Sequence, residues 1–546
     1  MKKYFNNKLM LTFLSVGILS ASCESYLDEE NKNSVSIETS EKYPQTFDQL
    51  VSAVYLKARE TTTKYASDMY YVLEDVGTDI VTREGVVSGT DVNNDYVNFT
   101  SRNWPVQVYW TNQYSIIAAA NTAIDNADKI QGVTAEAKKV GLAEVKFFRA
   151  LSYFQLVENF GGVPLVLKQV ITPERNFVRD TEENVYKQIL ADLQEALDGV
   201  PATTTVYGRV TKDAVKHFTS RVLLTRGYKS FGTPADFTQA ATLADEVIAN
   251  HALVGSFNSL TSITNQKNSE VIFSYLFGSD AVSRGWGNSR HQLYKFEFYN
   301  YPGLKRTVKG LGAMPTPFFY SLFADNDQRA DATFKRVLYA DQNFTVKVNG
   351  VDVNRVVGDT AIYFPKVALS QTVINTKPYK VINPDQYLIS DGTTGVHYPI
   401  FRKFDDPTIP FAYGDQQSQG QRDMVIMRSG EAYLIAAEAY VKASNTITAA
   451  QRLTTLRARA GITVPVLPGQ ANIDFILDER ARELAGEANR WMDLKRTNKL
   501  VERAKLYNPH VALNNALKPY HMLRPIPQNE IDFNQVPLTQ NPEYTN

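Results

Sequence analysis

One cysteine, Cys23, stands in 546 residues, and it lies close to the start. A solitary cysteine excludes intrachain disulfides, CxxC redox motifs and cysteine zinc sites together. Packed side chains and internal polar pairs must therefore hold whatever this chain builds. The composition suits that demand, with 43% hydrophobic and 21% charged residues, ordinary for a folded globular protein. At roughly 100–200 residues per domain the length allows three or four units and a large core. Basic and acidic residues balance at 58 each. That balance argues against a nucleic-acid binder, which shows a basic stripe, and against an acidic solvating chain.

The residues before Cys23 read as an address. Lys2, Lys3 and Lys8 form a positive start, Leu9–Leu19 is an apolar run, and Ser20, Ala21 and Ser22 are small. This is the pattern of a secretory signal peptide. It resembles a bacterial lipobox, in which the cysteine is lipidated and becomes the new N-terminus, although Ser20 stands where Leu is usual. Residues 1–22 are expected to be removed and Cys23 to carry acyl chains, of which two suffice for stable anchoring. Removal takes three lysines and no acid, leaving a net charge of about −3. Glu24, Asp28, Glu29 and Glu30 then open an acidic tether over 23–45. No later stretch reaches the ~20 apolar residues of a membrane-crossing helix.

Apolar residues at three- and four-residue spacing predict helices over 46–58, 108–129, 134–160, 181–197, 211–231 and 238–249. Gly161-Gly162 and Gly232 stop two of them. Paired amphipathic helices with Ala at contact positions point to a tetratricopeptide-like repeat. Residues 75–108 are polar and aperiodic and read as a long loop, a type of segment that tends to be functional. Residues 252–425 are rich in Gly, Pro, Asn and Asp, with short alternating runs such as Tyr294, Phe296 and Phe298. They predict loops, short helices and small β-hairpins. Helices return over 427–442, 448–460 and 473–485, and the tail from Tyr520 is irregular. The fold class is thus mainly α, a helical repeat scaffold with loop-rich insertions, and 46–546 forms one unit.

Four stretches in order carry a family resemblance: FFRALSYFQLVENFGGVPLV (147–166), RSGEAYLIAAEAYVKA (428–443), ILDERARELAGEANRWMDLKR (476–496) and LRPIPQNEIDFNQVPLTQNPEY (523–544). Together with the lipobox and the acidic cluster they resemble the SusD/RagB family of Bacteroidetes nutrient-uptake lipoproteins, nearly from end to end. The resemblance implies a surface-exposed, outer-membrane glycan-binding protein. It would capture an oligosaccharide and pass it to a SusC-type TonB-dependent transporter, serving as the transporter's lid. Peptides or another nutrient are the alternative cargo, and a surface glycoside hydrolase is the alternative of another class. Read on their own, Glu431, Glu438, Glu479, Glu483 and Glu487 sit among Arg480, Arg482, Arg490 and Arg496. They are expected to pair and hold helix to helix, with Trp491 wedged between.

Enzyme signatures are absent. There is no HExxH, GxSxG, Walker A or strand-to-helix GxGxxG, the six histidines are scattered, and no cofactor or metal is implied. Binding chemistry has better candidates. Sugar rings stack their C–H faces on Trp and Tyr, and rim Asp, Asn and Arg bind the hydroxyls. Trp104 and Trp286 fall outside the helical stripes, in SRNWPVQ and SRGWGNSR, whereas Trp110 and Trp491 lie within them and read as core. Arg102, Arg284 and Arg290 flank the two candidates. Tyr299, Tyr301 and Asp79 complete the predicted ligand set.

Overall fold

The structure is a computed structural model. It describes residues 41–61, 71–83, 94, 96–285, 287–294, 301–304, 313–388, 396–406, 420–487 and 490–544. The fold is mainly α. Six long helices come first: α1 (Gln45–Glu60), α2 (Trp104–Asn126), α3 (Ala135–Phe160), α4 (Glu182–Gly199), α5 (Lys212–Arg226) and α6 (Pro234–Asn250). Each packs on the next in order except that α1 reaches both α2 and α3. After the insertion come α7 (Ser429–Lys442), α8 (Thr446–Arg459) and α9 (Ile473–Leu484). Helix α6 packs on α5 and on α7, so the array continues across the insertion without a break.

Local chemistry places the helix ends. The Thr134 hydroxyl accepts from Ala137 N at 3.2 Å and the Thr181 hydroxyl from Asn184 N at 3.2 Å, each filling one of the orphan donors of a first turn. Thr233 and Asp236 form a reciprocal capping box at α6. Helix α3 ends at Gly161, at φ +72°. A Cβ on Gly162 would lie 2.1 Å from the carbonyl oxygen of Asp180. The Gly-Gly pair thus lets the chain turn and pass against the start of α4.

The main core runs through the array, with Phe147, Phe148, Phe154, Phe218 and Phe273 in edge-to-face contact. The insertion is tied at its base by strand Val271–Tyr275, antiparallel to Met424–Arg428. Farther out it has its own core around Tyr301, Met314, Ile362 and Tyr398. It also carries the expected hairpin, Phe344–Val348 with Val351–Arg355. Asn349 and Gly350 both take positive φ there, as a two-residue type I′ turn requires.

Residues 75–83 correct the sequence reading. The spacing predicts part of a long loop there, yet these residues are buried, and Val81–Arg83 pairs as a strand with Ala313–Pro315. Their polar groups are satisfied inside: Thr78 donates to Asp75 O and Asn508 donates to Thr78 O and Val81 O. Polar composition signalled solvent, but internal partners replace it.

Buried ion pairs do the work the missing disulfides cannot. Arg149 holds Asp192 at two points, 2.8 and 2.7 Å, and Arg496 holds Glu438 at 2.9 and 2.8 Å. Glu479 receives Arg329, Arg457 and Arg482 at 2.7, 2.8 and 2.6 Å. Glu483 receives Arg428 at 2.7 Å, Arg329 at 3.2 Å, and Arg459. Burial alone would raise Glu479, but the three guanidiniums outweigh it and hold the carboxyl at about 2. Of these, Glu438, Glu479 and Glu483 are struts expected from sequence, and Asp192 is a further one. Trp491 is wholly buried, with the Arg524 guanidinium 4.2 Å from its ring centre.

Candidate functional site

Helix α2 presents a concavity of about 520 Å³ along the face marked by Thr111, Tyr114, Ser115, Ala118 and Thr122. One wall is the extended run 164–177 that follows the Gly-Gly turn; the other is 530–538 of the tail. Asn534 joins the walls, donating to Phe177 O at 2.7 Å and accepting from Phe177 N at 3.0 Å. Tyr114 stands on the floor with its hydroxyl donating to Pro164 O at 2.8 Å. Asn121 Nδ2 donates to Val166 O and Lys168 O, and its Oδ1 accepts from Arg149, which ties this wall to the ion pairs of the core. Phe533 at 68% exposure and Val170 leave apolar surface at the rim. Glu174 is spent on the backbone N–H groups of Arg175 and Asn176. Burial raises the Glu530 carboxyl, against hydrogen bonds from Trp110 and Asn529 that lower it.

Trp104 heads this face. It is 46% exposed and two turns before Thr111, so the two residues share one side of α2. Its predicted loop setting is corrected, because it is the first residue of the helix, followed by Pro105. Pro belongs in a first helical turn, where no N–H is needed, so Trp-Pro marked a helix start. Arg102 is exposed beside it, and Ser101 is fixed to Gln528 of the tail by a backbone and a side-chain hydrogen bond, both 2.9 Å. Trp110 is core as expected, and its ring also borders the concavity.

The other predicted residues are not brought here. Asp79 is wholly buried between Arg490 and Arg503, so it is a strut and not a rim acid. Tyr301 is buried in the insertion core with its hydroxyl bonded to His397, which removes it from the surface. Arg290 is 7% exposed, with its guanidinium 5.5 Å from the centre of the Phe404 ring, and so is not a rim cation. Arg284 ends a short helix, Ala281–Arg284, and donates to Ser279 O. The preceding Ser283 accepts from Arg59 at 2.9 Å, at the edge of a second cleft of about 340 Å³ walled by Tyr55, Tyr207 and Tyr275. Trp286, Tyr299 and Cys23 lie outside the described residues.

Tyr114, Phe177, Phe533 and Asn534 were missed. Tyr114 shares the helical stripe of Trp110, and stripe membership reads as core. Phe177 and Asn534 meet across 357 residues, a contact no local pattern announces. Among the described residues, no group of three or more His, Cys, Asp or Glu could hold a metal ion, and no helix is long and apolar enough to cross a membrane.

The model of the SusD family matches residues 258–544, and the model described as "Starch-binding associating with outer membrane" matches 25–224. SusD-like protein P25 of Formosa agariphila is 25% identical, covering 95% of each chain. The starch-binding protein SusD of Bacteroides thetaiotaomicron is 24% identical over 76% of this chain and 75% of its own. The solved structure of a laminarin-binding SusD-like protein superposes with a TM-score of 0.67 at 21% identity, over 92% of this chain and all of that one. With family matches on both the helical array and the insertion-to-tail half, and with the fold shared nearly end to end, the chain belongs to the SusD family.

Proposed function

We propose that this protein captures oligosaccharides at the outer membrane and delivers them to a SusC-type TonB-dependent transporter, closing over it as a lid. The observation that carries the glycan reading is the groove on α2. Tyr114 lies on its floor among Asn, Ser, Thr, Lys and Arg side chains, and the exposed Trp104 stands beyond its end, two turns before Thr111 on the same side of α2. Flat faces with a polar rim suit sugar rings, which are apolar on C–H faces and polar at their edges. Family membership supports the same reading, as do relatives whose names record starch and laminarin binding. The family description of outer-membrane association supports the location. In this reading residues 1–22 are cleaved, Cys23 is acylated, 23–45 is the tether, and 46–546 is a single binding unit facing the cell exterior. No chemistry is performed on the ligand.

The test is titration calorimetry of the mature chain against a panel of neutral oligosaccharides, starting with malto- and laminari-series, alongside peptides, with the solutions analysed afterwards for cleavage. Saturable binding of a sugar without products supports the proposal. Binding of peptides alone would favour the other cargo, and released shorter sugars would favour a hydrolase. Co-purification of a transporter with the tethered protein tests the lid.

A further inference from the structure

A third, smaller cavity lies at the base of the insertion, away from the α2 groove, and cations dominate its lining. It has a volume of about 60 Å³ and is bounded by Arg290, Lys403, Arg422 and Arg428. The floor residues Arg290, Lys403 and Arg428 are buried, and Arg422 is half-buried at the rim. Three of the four cations have protein partners. Arg428 is bound by Glu270, Glu483 and Glu487. Lys403 donates to Glu483 O, Ala485 O and Glu487. Arg422 donates only to backbone carbonyls, Asp405 O from Nε and Nη2 and Thr261 O from Nη1.

Arg290 differs. It is 7% exposed, and among the described residues its guanidinium has no hydrogen-bond partner: it meets the Phe404 ring and, through charge alone, the buried Asp75 and Glu74 carboxyls, whose protonated forms burial favours. A guanidinium carries five N–H donors. Burying them unmatched is costly, so a group aimed into a cavity in this state calls for an acceptor. Two carboxylates also line the space. Glu487 is already committed to Lys403 and Arg428. Asp423 accepts from Phe277 N at 2.8 Å, and burial holds its carboxyl above the usual range. Burial likewise pulls Lys403 and Arg422 below their ordinary values, as expected of cations whose charge is incompletely compensated.

We propose that this cavity is a binding site for a small oxyanion, held by Arg290 and Arg422. A cavity needs roughly 10–15 Å³ of such volume to hold one water, so about 60 Å³ admits a carboxylate, phosphate or sulfate group. The oxyanion is either a free ion or the acidic substituent of a saccharide whose ring stays outside. The site stands on its own residues and does not require that the α2 groove bind sugar.

The experiment uses the mature chain in thermal melts and calorimetry at constant ionic strength, with phosphate, sulfate, acetate and glucuronate as probes against chloride, and with glucose as the neutral control. At least one anion is expected to bind saturably, and Arg290→Gln to weaken it tenfold or more. Arg422→Gln, which removes a side chain held only by carbonyls, is expected to weaken it several-fold and covers the case in which Arg290→Gln fails to fold. A crystal soaked in selenate is expected to show anomalous density beside Arg290. Glucuronate binding tighter than acetate assigns the acidic saccharide, and phosphate or sulfate binding without glucuronate assigns the free ion. No saturable response to any probe, equal affinity in the folded variants, or selenate only elsewhere would overturn the site. Trp104→Ala is expected to leave the anion response unchanged, which separates this proposal from the groove.

Discussion

Arg490 and Asp79 form a two-point ion pair across 411 positions of sequence, Nε to Oδ1 at 2.8 Å and Nη2 to Oδ2 at 2.6 Å. Both are buried, and Arg503 adds a third bond to Asp79 at 2.8 Å. The pair pins the segment before strand Val81–Arg83 to the helix that follows α9. Burial alone would raise the Asp79 carboxyl, but the two guanidiniums hold it below the usual range.

Arg490→Ala should therefore damage the fold, not a binding surface. Breaking one partner of a buried pair costs about 3–5 kcal/mol, less whatever Arg503 retains. Chemical denaturation should show the loss directly. A variant with unchanged stability but lost ligand binding would return Asp79 to the site.

Most of the scaffold was legible because amphipathic helices advertise themselves. Thr134, Thr181, Gly161 and the spacing of Phe147, Leu151 and Phe154 fall where the helix ends and faces do. The site was less legible. Asp79, Arg290 and Tyr301 look like surface chemistry in sequence, because local pattern cannot show that Arg490, Phe404 and His397 wait to enclose them. Trp104 was picked out for standing apart from the core stripe, and its exposure agrees with that reasoning, although its loop is a helix start. Phe177 and Asn534 became neighbours only through tertiary packing.

The buried carboxyls Glu74 and Asp75 oppose the ion-pair lattice in their pH dependence. Burial pushes Glu74 up to about 8, partly offset by a hydrogen bond from Tyr109, and Asp75 up to about 6 despite the nearby Arg290. A carboxyl raised in the folded state binds more protons there than when unfolded. Its contribution is present at low pH and lost as pH rises through the folded value. For Glu74 that window runs from the ordinary 4.5 to about 8. Glu479 and Glu158, both held at about 2, act oppositely, and their contribution is lost as pH falls from 4.5 toward 2. Melting temperature against pH should give a dome, and Glu74→Gln should flatten its alkaline limb. An unaltered alkaline limb in that variant would show Glu74 ionised throughout.

Cys23→Ala should move the protein from the membrane to the soluble fraction when expressed in its host. The lone cysteine follows an apolar leader and small residues, and no disulfide is lost with it. The released protein should keep the melting temperature of the parent mature chain. Attachment undiminished in the variant would mean another anchor.

Trp104→Ala tests the groove most cleanly. The side chain is 46% exposed at the first position of α2, so its loss should alter stability by no more than about 0.5 kcal/mol. If a sugar ring stacks on it, the variant loses a face that only the ligand covers. Affinity should fall by about 1–3 kcal/mol, roughly five- to 150-fold. Phe533→Ala, at 68% exposure on the facing wall, should have a smaller effect in the same direction, because a more exposed rim contact excludes less water. Calorimetry with the best oligosaccharide of the panel, run beside thermal melts, reads both quantities. Full affinity in both variants would remove the groove as the sugar site and direct attention to the cleft walled by Tyr55, Tyr207 and Tyr275. A lowered melting point together with weaker binding would make Trp104 a packing residue of the α2 start.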